Sequence, residues 1–368
     1  MEILVNPSPN FWSGKKVILT GHTGFKGAWL YIWLRHLGAH VCGFSLPPEG
    51  SPNLSAITGI AAEGAGVTIG DIRDRVLINE VMERERPDIV LHLAAQALVR
   101  RSYTDPIESF STNVMGTLQV LDAASRCPSV RAVVVVTTDK CYENKEWIWP
   151  YRENEALGGH DPYSASKACA EIATAAWRSS LRDMPAYCQA GQHIAIATAR
   201  AGNVFGGGDW ALDRLVPDFF RAIFAEEDLF LRNPAARRPW QHVLEPLAGY
   251  LLLSEQLWDG RAQEAWNFGP EMQDVQPVSF IVDRLLKAHG GQNQWHLADG
   301  HQPHEASLLA LDASKSRARL GWRPRLPLGE ALDWTYDWYA RYARGEDATV
   351  LMLEQIESYT SLADALQA

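Results

Sequence analysis

Cysteine is scarce in this chain: five residues in 368, at Cys42, Cys127, Cys141, Cys169 and Cys188, odd in number and widely spaced. With no CxxC pair among them, neither a disulfide framework nor a zinc site is indicated. Cations are also in the minority, 34 Lys and Arg against 44 Asp and Glu, for a net charge of −10. Nucleic acids and anionic membrane surfaces are held by clustered cations, so neither is an expected partner. Long apolar runs are missing too: no stretch approaches the about 18 residues of a membrane-spanning helix. Met1 to Pro7 has neither the basic start nor the apolar core of a secretory signal, so a soluble cytoplasmic protein is expected. His296, His301 and His304 belong to no HExxH helix, and no metal is expected. What remains is an ordinary globular composition, 46 % hydrophobic and 21 % charged.

Short apolar runs alternate with helical patterns over the first 200 residues. Val17–Thr20, His40–Ser45, Val67–Gly70, Ile89–Leu93, Ala132–Thr137 and Ile194–Ala199 read as strands. Helical patterns separate them at 24–37, 75–86, 108–125 and 163–180. The strands are continuously apolar, which means burial on both faces, as in a parallel sheet between helix layers. Repeated β-then-α order predicts an α/β, doubly wound fold. Beyond Gly206, Pro, Trp and Arg become frequent and strand signals sparse. The expected organisation is a dinucleotide-binding domain over 12–205 with a returning segment near 242–268. A smaller, irregular domain over 206–241 and 269–345 holds the substrate, and 346–368 forms a C-terminal tail.

Thr20-Gly21-His22-Thr23-Gly24-Phe25-Lys26-Gly27 lies between the first strand and the first helix. Glycines at 21, 24 and 27 permit a tight turn, close approach of backbone N–H groups to a diphosphate, and close helix packing. Gly21, Thr23, Gly24, Phe25, Lys26 and Gly27 are therefore candidate cofactor residues. An acidic residue ending the second strand would bind the ribose hydroxyls of NAD. Cys42-Gly43-Phe44-Ser45 stands there instead. Yet no Lys or Arg occurs between Arg35 and Arg73 to hold the extra phosphate of NADP, so NAD is favoured. Asp71 and Ile72 lie where the adenine should end; the alternative for Asp71 is a helix cap ahead of Arg75.

Tyr163-Ser164-Ala165-Ser166-Lys167 puts a phenol and an ammonium at i and i+4 on one helix face. The ammonium and an oxidised nicotinamide would favour phenolate, so the Tyr163 pKa should fall toward the working pH. Together with the glycine loop about 140 residues upstream, this motif resembles the extended short-chain dehydrogenase/reductase family, built on a Rossmann sheet. Thr137-Thr138-Asp139-Lys140-Cys141-Tyr142 ends the fifth strand, and is similar to the sugar-nucleotide 4,6-dehydratases of that family. Their usual trio is Thr-Asp-Glu; Lys140 replaces the glutamate. That replacement and the run 139–149 resemble the branch acting on CDP-hexoses. Segments 21–29, 98–100, 111–117, 201–216 and 238–246 resemble it as well, extending the similarity from about Phe11 to Trp338.

The resemblance implies catalytic roles for Thr138, Asp139, Lys140, Tyr163 and Lys167. Lys140 would be the base, with a pKa lowered by burial and by Lys167. It implies cofactor contacts from Ala94, Ala95, Gln96, Thr137, Ala201 and Val204, besides Tyr163 and Lys167, and an Asn113 that orders water behind the site. Arg100, Ser102, Asn203, Trp210, Arg238, His304 and Glu305 are candidate substrate residues; planar guanidinium groups suit a diphosphate. The implied partner is a nucleotide-sugar substrate, a CDP-hexose, with a homodimer formed through the helices at 108–125 and 163–180. A dehydratase for a dTDP- or GDP-hexose, or a 4-epimerase, stays open as an alternative.

Overall fold

The computed structural model describes residues 5–60, 66–184, 187, 193–300 and 306–365. Twelve strands occur among them: β1 (Lys16–Thr20), β2 (His40–Ser45), β3 (Val67–Ile69), β4 (Ile89–His92), β5 (Ala132–Val136), β6 (Ala195–Ala201), β7 (Asn203–Phe205), β8 (Leu229–Leu231), β9 (Arg237–His242), β10 (Ala265–Phe268), β11 (Val275–Pro277) and β12 (Trp295–Leu297). Seven form one sheet in the order β10-β6-β5-β4-β1-β2-β3, all parallel. The expected α/β doubly wound architecture is therefore present, and β10 is the expected return of the chain to the sheet. Strands β1 to β3 run outward one way, and β4 starts again beside β1. Strand order reverses there, and the carboxyl ends open a crevice.

The continuous apolar runs are explained by two cores. Val17, Leu19, Ile89, Leu91 and Val134 face one buried cluster; Ile18, Val90, Val133 and Val135 face the other. Successive side chains alternate across a strand, so each run feeds both layers. The first cluster runs on through Trp240, Leu285, Trp338 and Tyr359.

Two local departures from expectation have physical causes. The segment expected as one helix over 108–125 is a short α-helix, Pro106–Phe110, a π-helical stretch, Ser111–Gly116, and an α-helix, Thr117–Arg126. The wider turn surrounds Asn113, whose side chain is tied to the facing loop. The expected tail contains the helix Ala348–Ala365, which packs on the helix Phe25–His36. Leu351, Met352, Ile356 and Tyr359 are buried, with Tyr359 edge-on to Trp33. Two smaller sheets, β7 with β9 and β11, and β8 with β12, flank the carboxyl edge. Among the described residues no helix is long and apolar enough to cross a membrane, and Cys42, Cys127, Cys141 and Cys169 form no disulfide.

Candidate active site

The glycine loop turns where backbones meet. A Cβ on Gly27 would lie 2.0 Å from the Gly21 carbonyl oxygen, and one on Gly21 would lie 2.7 Å from the Ala94 nitrogen. Gly21 also has φ +79°, which glycine tolerates without strain. A crevice of about 380 Å³ opens over this loop, bounded by Gly24 to Gly27, Asp71, Ala94 to Gln96, and Arg214. The donor-rich start of the helix Phe25–His36 and the missing Cβ at Gly24 fit a dinucleotide diphosphate there.

Several expected contacts are used within the chain. The Thr23 hydroxyl donates to the Leu46 carbonyl (3.0 Å) and lies 2.6 Å from Ser45 Oγ, fixing the end of β2. Asp71 is clamped by Arg73, whose side-chain hydrogen bonds hold the Asp71 carboxyl below the usual range. Asp74, not Asp71, caps the helix Arg75–Glu85. Gln96 accepts from its own neighbour, Leu98 N, and donates to Ser109 Oγ. Asn113 accepts from Gln96 N and donates to Gln96 O and Ser166 Oγ, so its amide joins the crevice wall to the tyrosine helix. His92 lies between Thr20 and Thr117. Ala94 N donates to Thr20 Oγ1 and the Thr117 hydroxyl donates to Asn113 O, so Nδ1 is the acceptor and Nε2 carries the proton. Burial and the Lys167 charge push His92 down to about 3, keeping it neutral.

The catalytic candidates come from two elements. Thr138, Asp139 and Lys140 begin the turn after β5, where Thr138 accepts from Lys140 N. Tyr163 and Lys167 lie on the helix Pro162–Ser180, started by an Asp161 cap. Asp139 is buried; Thr138 donates to one carboxylate oxygen, and the other has no partner. Burial favours the protonated acid and raises its pKa above the usual range, against the opposing pull of the Lys140 charge. The expected fall of the Tyr163 pKa is not found without a cofactor: burial lifts it to about 12, opposed by Thr138 and Arg214. Lys167 donates to the Val136 carbonyl, and burial lowers it to about 8 while Glu171 holds it up. Lys140 is half-exposed. The burial expected of it occurs instead at Lys167; Lys26 is half-buried like Lys140, yet burial and nearby cations lower its pKa.

The expected substrate residues are scattered. Arg238 is buried on β9, donates to the Arg237 carbonyl and acts electrostatically on Asp139. Asn203 and Val204 lie on β7, paired with Trp240 and Gln241, and Ala201 ends β6. Arg100 is exposed and paired with Asp213 at 3.0 Å, while Ser102 is buried and donates back to Val99 O. Trp210 meets the crevice, but its ring packs edge-on against Tyr339 at 5.1 Å. His304 and Glu305 lie outside the described residues. Among the described residues no group of His, Cys, Asp or Glu side chains is placed to hold a metal ion.

Residues 18–335 match the family model described as GDP-mannose 4,6 dehydratase. The chain is 46 % identical over 354 residues to the CDP-glucose 4,6-dehydratase of Salmonella typhimurium, covering 96 % of this chain and 98 % of that one. It belongs to the sugar-nucleotide 4,6-dehydratase family. Its structure resembles DesIV, a dTDP-glucose 4,6-dehydratase from Streptomyces venezuelae with NAD bound, at TM-score 0.75, 25 % identity and 90 % and 98 % coverage of the two chains. It also shares the fold of the epimerase Mth375 of Methanothermobacter thermautotrophicus, at TM-score 0.79, 22 % identity and 91 % and 95 % coverage.

Two groups in this member of the dehydratase family escaped the motifs. Arg214, paired with Asp209 at 2.9 Å, faces the crevice and acts on Tyr163. Glu171 is buried four residues beyond Lys167, accepting from Thr137, from Thr198 at 2.7 Å and from Arg200 at 2.8 Å. Extending the i, i+4 spacing one step past Lys167 would have reached Glu171. Arg214 carries no such signal.

Proposed function

We propose that this chain is a hydro-lyase that converts CDP-D-glucose to CDP-4-keto-6-deoxy-D-glucose and water, with NAD held in the crevice. The observation that carries this reading is the Thr138-Asp139-Lys140 turn, beside Tyr163 at the carboxyl edge of the sheet, in a chain so similar to a CDP-glucose 4,6-dehydratase. Residues 12–205 with 242–268 form the NAD-binding part; 206–241 and 269–345 form the sugar-nucleotide part.

Bound NAD supplies the acceptor for the hydride of C4 and its return to C6. Thr138 hydrogen-bonds the C4 oxygen, and Tyr163 takes its proton. Arg214 and Lys167 favour the phenolate that burial opposes. The C4 ketone acidifies the C5 proton, which Lys140 removes, and a proton returns to C5 when the hydride returns to C6. Asp139, whose pKa burial raises, gives a proton to the departing C6 hydroxyl. Asn203 and Arg238 hold the substrate diphosphate, with Arg100, Ser102 and Trp210 around the remaining sugar nucleotide. Loop 21–27, Asp71, Ile72, 94–96, Thr137, Ala201 and Val204 line the cofactor.

In this reading the chain works as a homodimer in the cytoplasm. Met115 and Ile172 are exposed apolar residues on the helices through which the resemblance implies pairing, and the exposed Ile107 lies just ahead of the first.

The test is to incubate the protein with NAD and, separately, CDP-, dTDP-, UDP- and GDP-hexoses, measuring loss of water by mass. The reading expects product from CDP-glucose, with deuterium at C4 recovered in the new C6 methyl group. Epimerisation without mass change would replace it with the epimerase reading, and product from dTDP-glucose alone would overturn the nucleotide assignment. Lys140→Ala should abolish solvent exchange at C5 yet leave cofactor reduction detectable.

A further inference from the structure

The glycine loop brings more than backbone to the crevice. Lys26, in the first turn of the helix Phe25–His36, lines the cavity. Its ammonium is 5.9 Å from the centre of the Tyr250 ring, on the helix Leu244–Trp258. It is half-buried, and among the described residues it has no ion pair and no hydrogen bond, while burial and neighbouring cations lower its pKa. A partly buried cation beside other cations is stabilised when an anion meets it.

The surroundings sharpen the point. Lys167, from the helix Pro162–Ser180, and Arg214, ahead of the helix Leu215–Phe224, are both cations close enough to act on Lys26. Asp139, from the turn after β5, acts in the opposite sense, but burial favours its uncharged form. Asp209 is engaged by Arg214. The Tyr250 hydroxyl is buried without a partner. Thus the groups facing Lys26 are two cations, an acid biased toward neutrality and a phenol, and the matching anion must come from outside the chain. The same loop presents the backbone donors expected to hold a diphosphate.

We propose that the Lys26 ammonium is a binding group for a diphosphate entering the crevice, and that it takes up a proton as the diphosphate arrives. This rests on the dinucleotide reading above and adds a charge that the loop backbone alone does not provide. Burial, with Lys167 and Arg214, holds the empty-site pKa down at about 7. At pH 8 the amine is mostly neutral, and an arriving anion raises its pKa so that binding consumes a proton; at pH 6 it is already charged and little uptake remains.

The experiment is isothermal titration of the full chain at pH 8 and pH 6, each in two buffers of different ionisation heat. NAD and CDP serve as separate probes, with Lys26→Met and Lys26→Arg alongside the native protein. A clear fraction of a proton should be taken up at pH 8 and less at pH 6. Lys26→Met should abolish the uptake and weaken one probe by about tenfold or more, as expected for loss of a charge-assisted contact. Lys26→Arg, charged at both pH values, should retain much of the affinity without the uptake. Weakening of NAD assigns the contact to the cofactor; weakening of CDP assigns it to the substrate. Native binding and uptake unchanged in Lys26→Met would overturn the proposal. Failure of the native protein to bind either probe would overturn the dinucleotide reading and this inference with it. Thermal unfolding of both variants separates lost contact from lost fold.

Discussion

Glu171 and Glu245 are both buried glutamates, and they meet opposite surroundings. Glu171 lies behind the catalytic helix with Arg200 at 2.8 Å and the Thr137 and Thr198 hydroxyls. Burial pushes its carboxyl up, but the arginine and the hydrogen bonds more than reverse that, leaving it below the ordinary range. Glu245, on the helix Leu244–Trp258, accepts from Arg325 N, Leu326 N and the Tyr359 hydroxyl. Those donors are neutral, and burial lifts its pKa to about 7. Hydrogen bonds satisfy both carboxyls; the nearby countercharge decides which remains ionised. The first arrangement fixes charge beneath the chemistry, and the second ties the C-terminal helix to the core.

The largest break in this comparison should come from Glu171→Ala. It strands Arg200 as a buried charge, and such losses cost about 3–5 kcal/mol; urea unfolding should show that drop. Replacing Arg200 and Glu171 together with methionine should recover much of the stability, because no charge is left unpaired. Turnover should stay impaired in both variants. Glu171 holds up the pKa of Lys167, so its loss should move the alkaline limb of the rate profile to lower pH. A double variant with native turnover and an unmoved profile would reduce Glu171 to a structural residue.

Glu245→Gln should give a smaller, pH-dependent effect. The native carboxyl keeps its proton up to about pH 7, whereas the unfolded one releases it near 4.5. The folded state binds more protons between those values, so stability falls as pH rises through the window, by up to about 3 kcal/mol. Glutamine should remove most of that slope. A residual slope in the same direction is expected from Glu255, also raised to about 7 by burial and accepting from Ser8 N and Trp12 Nε1. Thermal unfolding from pH 5 to pH 8 measures it, and an unchanged slope would refute the assignment.

What the sequence made legible follows the same division. Groups arranged locally could be read: the glycine loop by its spacing, the two-faced strands by their apolar runs, Tyr163 and Lys167 by one helical turn. Groups joined across the fold could not. Arg200 reaches Glu171 from β6, and Tyr142 joins the same arginine and the Asn267 of β10. The π-helical turn at Ser111–Gly116 depends on Asn113 bridging Gln96 and Ser166, contacts separated by 17 and 53 residues. Lys140 was expected to be deeply buried because its chemistry asks for a neutral amine, but the turn after β5 leaves it half-exposed.

The smallest test concerns a buried titratable ring held mainly by packing. His22 is fully buried in the glycine loop, and burial pushes it down to about 4 against a weaker opposing pull from the Phe44 backbone. Its ring occupies the space over Gly43, where an added Cβ would come within 2.6 Å of the imidazole. Gly43→Ala should therefore cost about 1–3 kcal/mol through overpacking. His22→Ala in the same chain should relieve that clash, so the double variant should be more stable than the sum of the two single losses. Strict additivity would mean that the ring and the strand do not compete for this space. The ring also sets an acid-side trend: its stability contribution as a neutral group is lost as pH falls from 6.5 toward 4, and that component should vanish in His22→Ala. A buried histidine without a countercharge therefore resembles Glu245 in staying neutral, while its pH dependence runs the other way because its charged form is the protonated one.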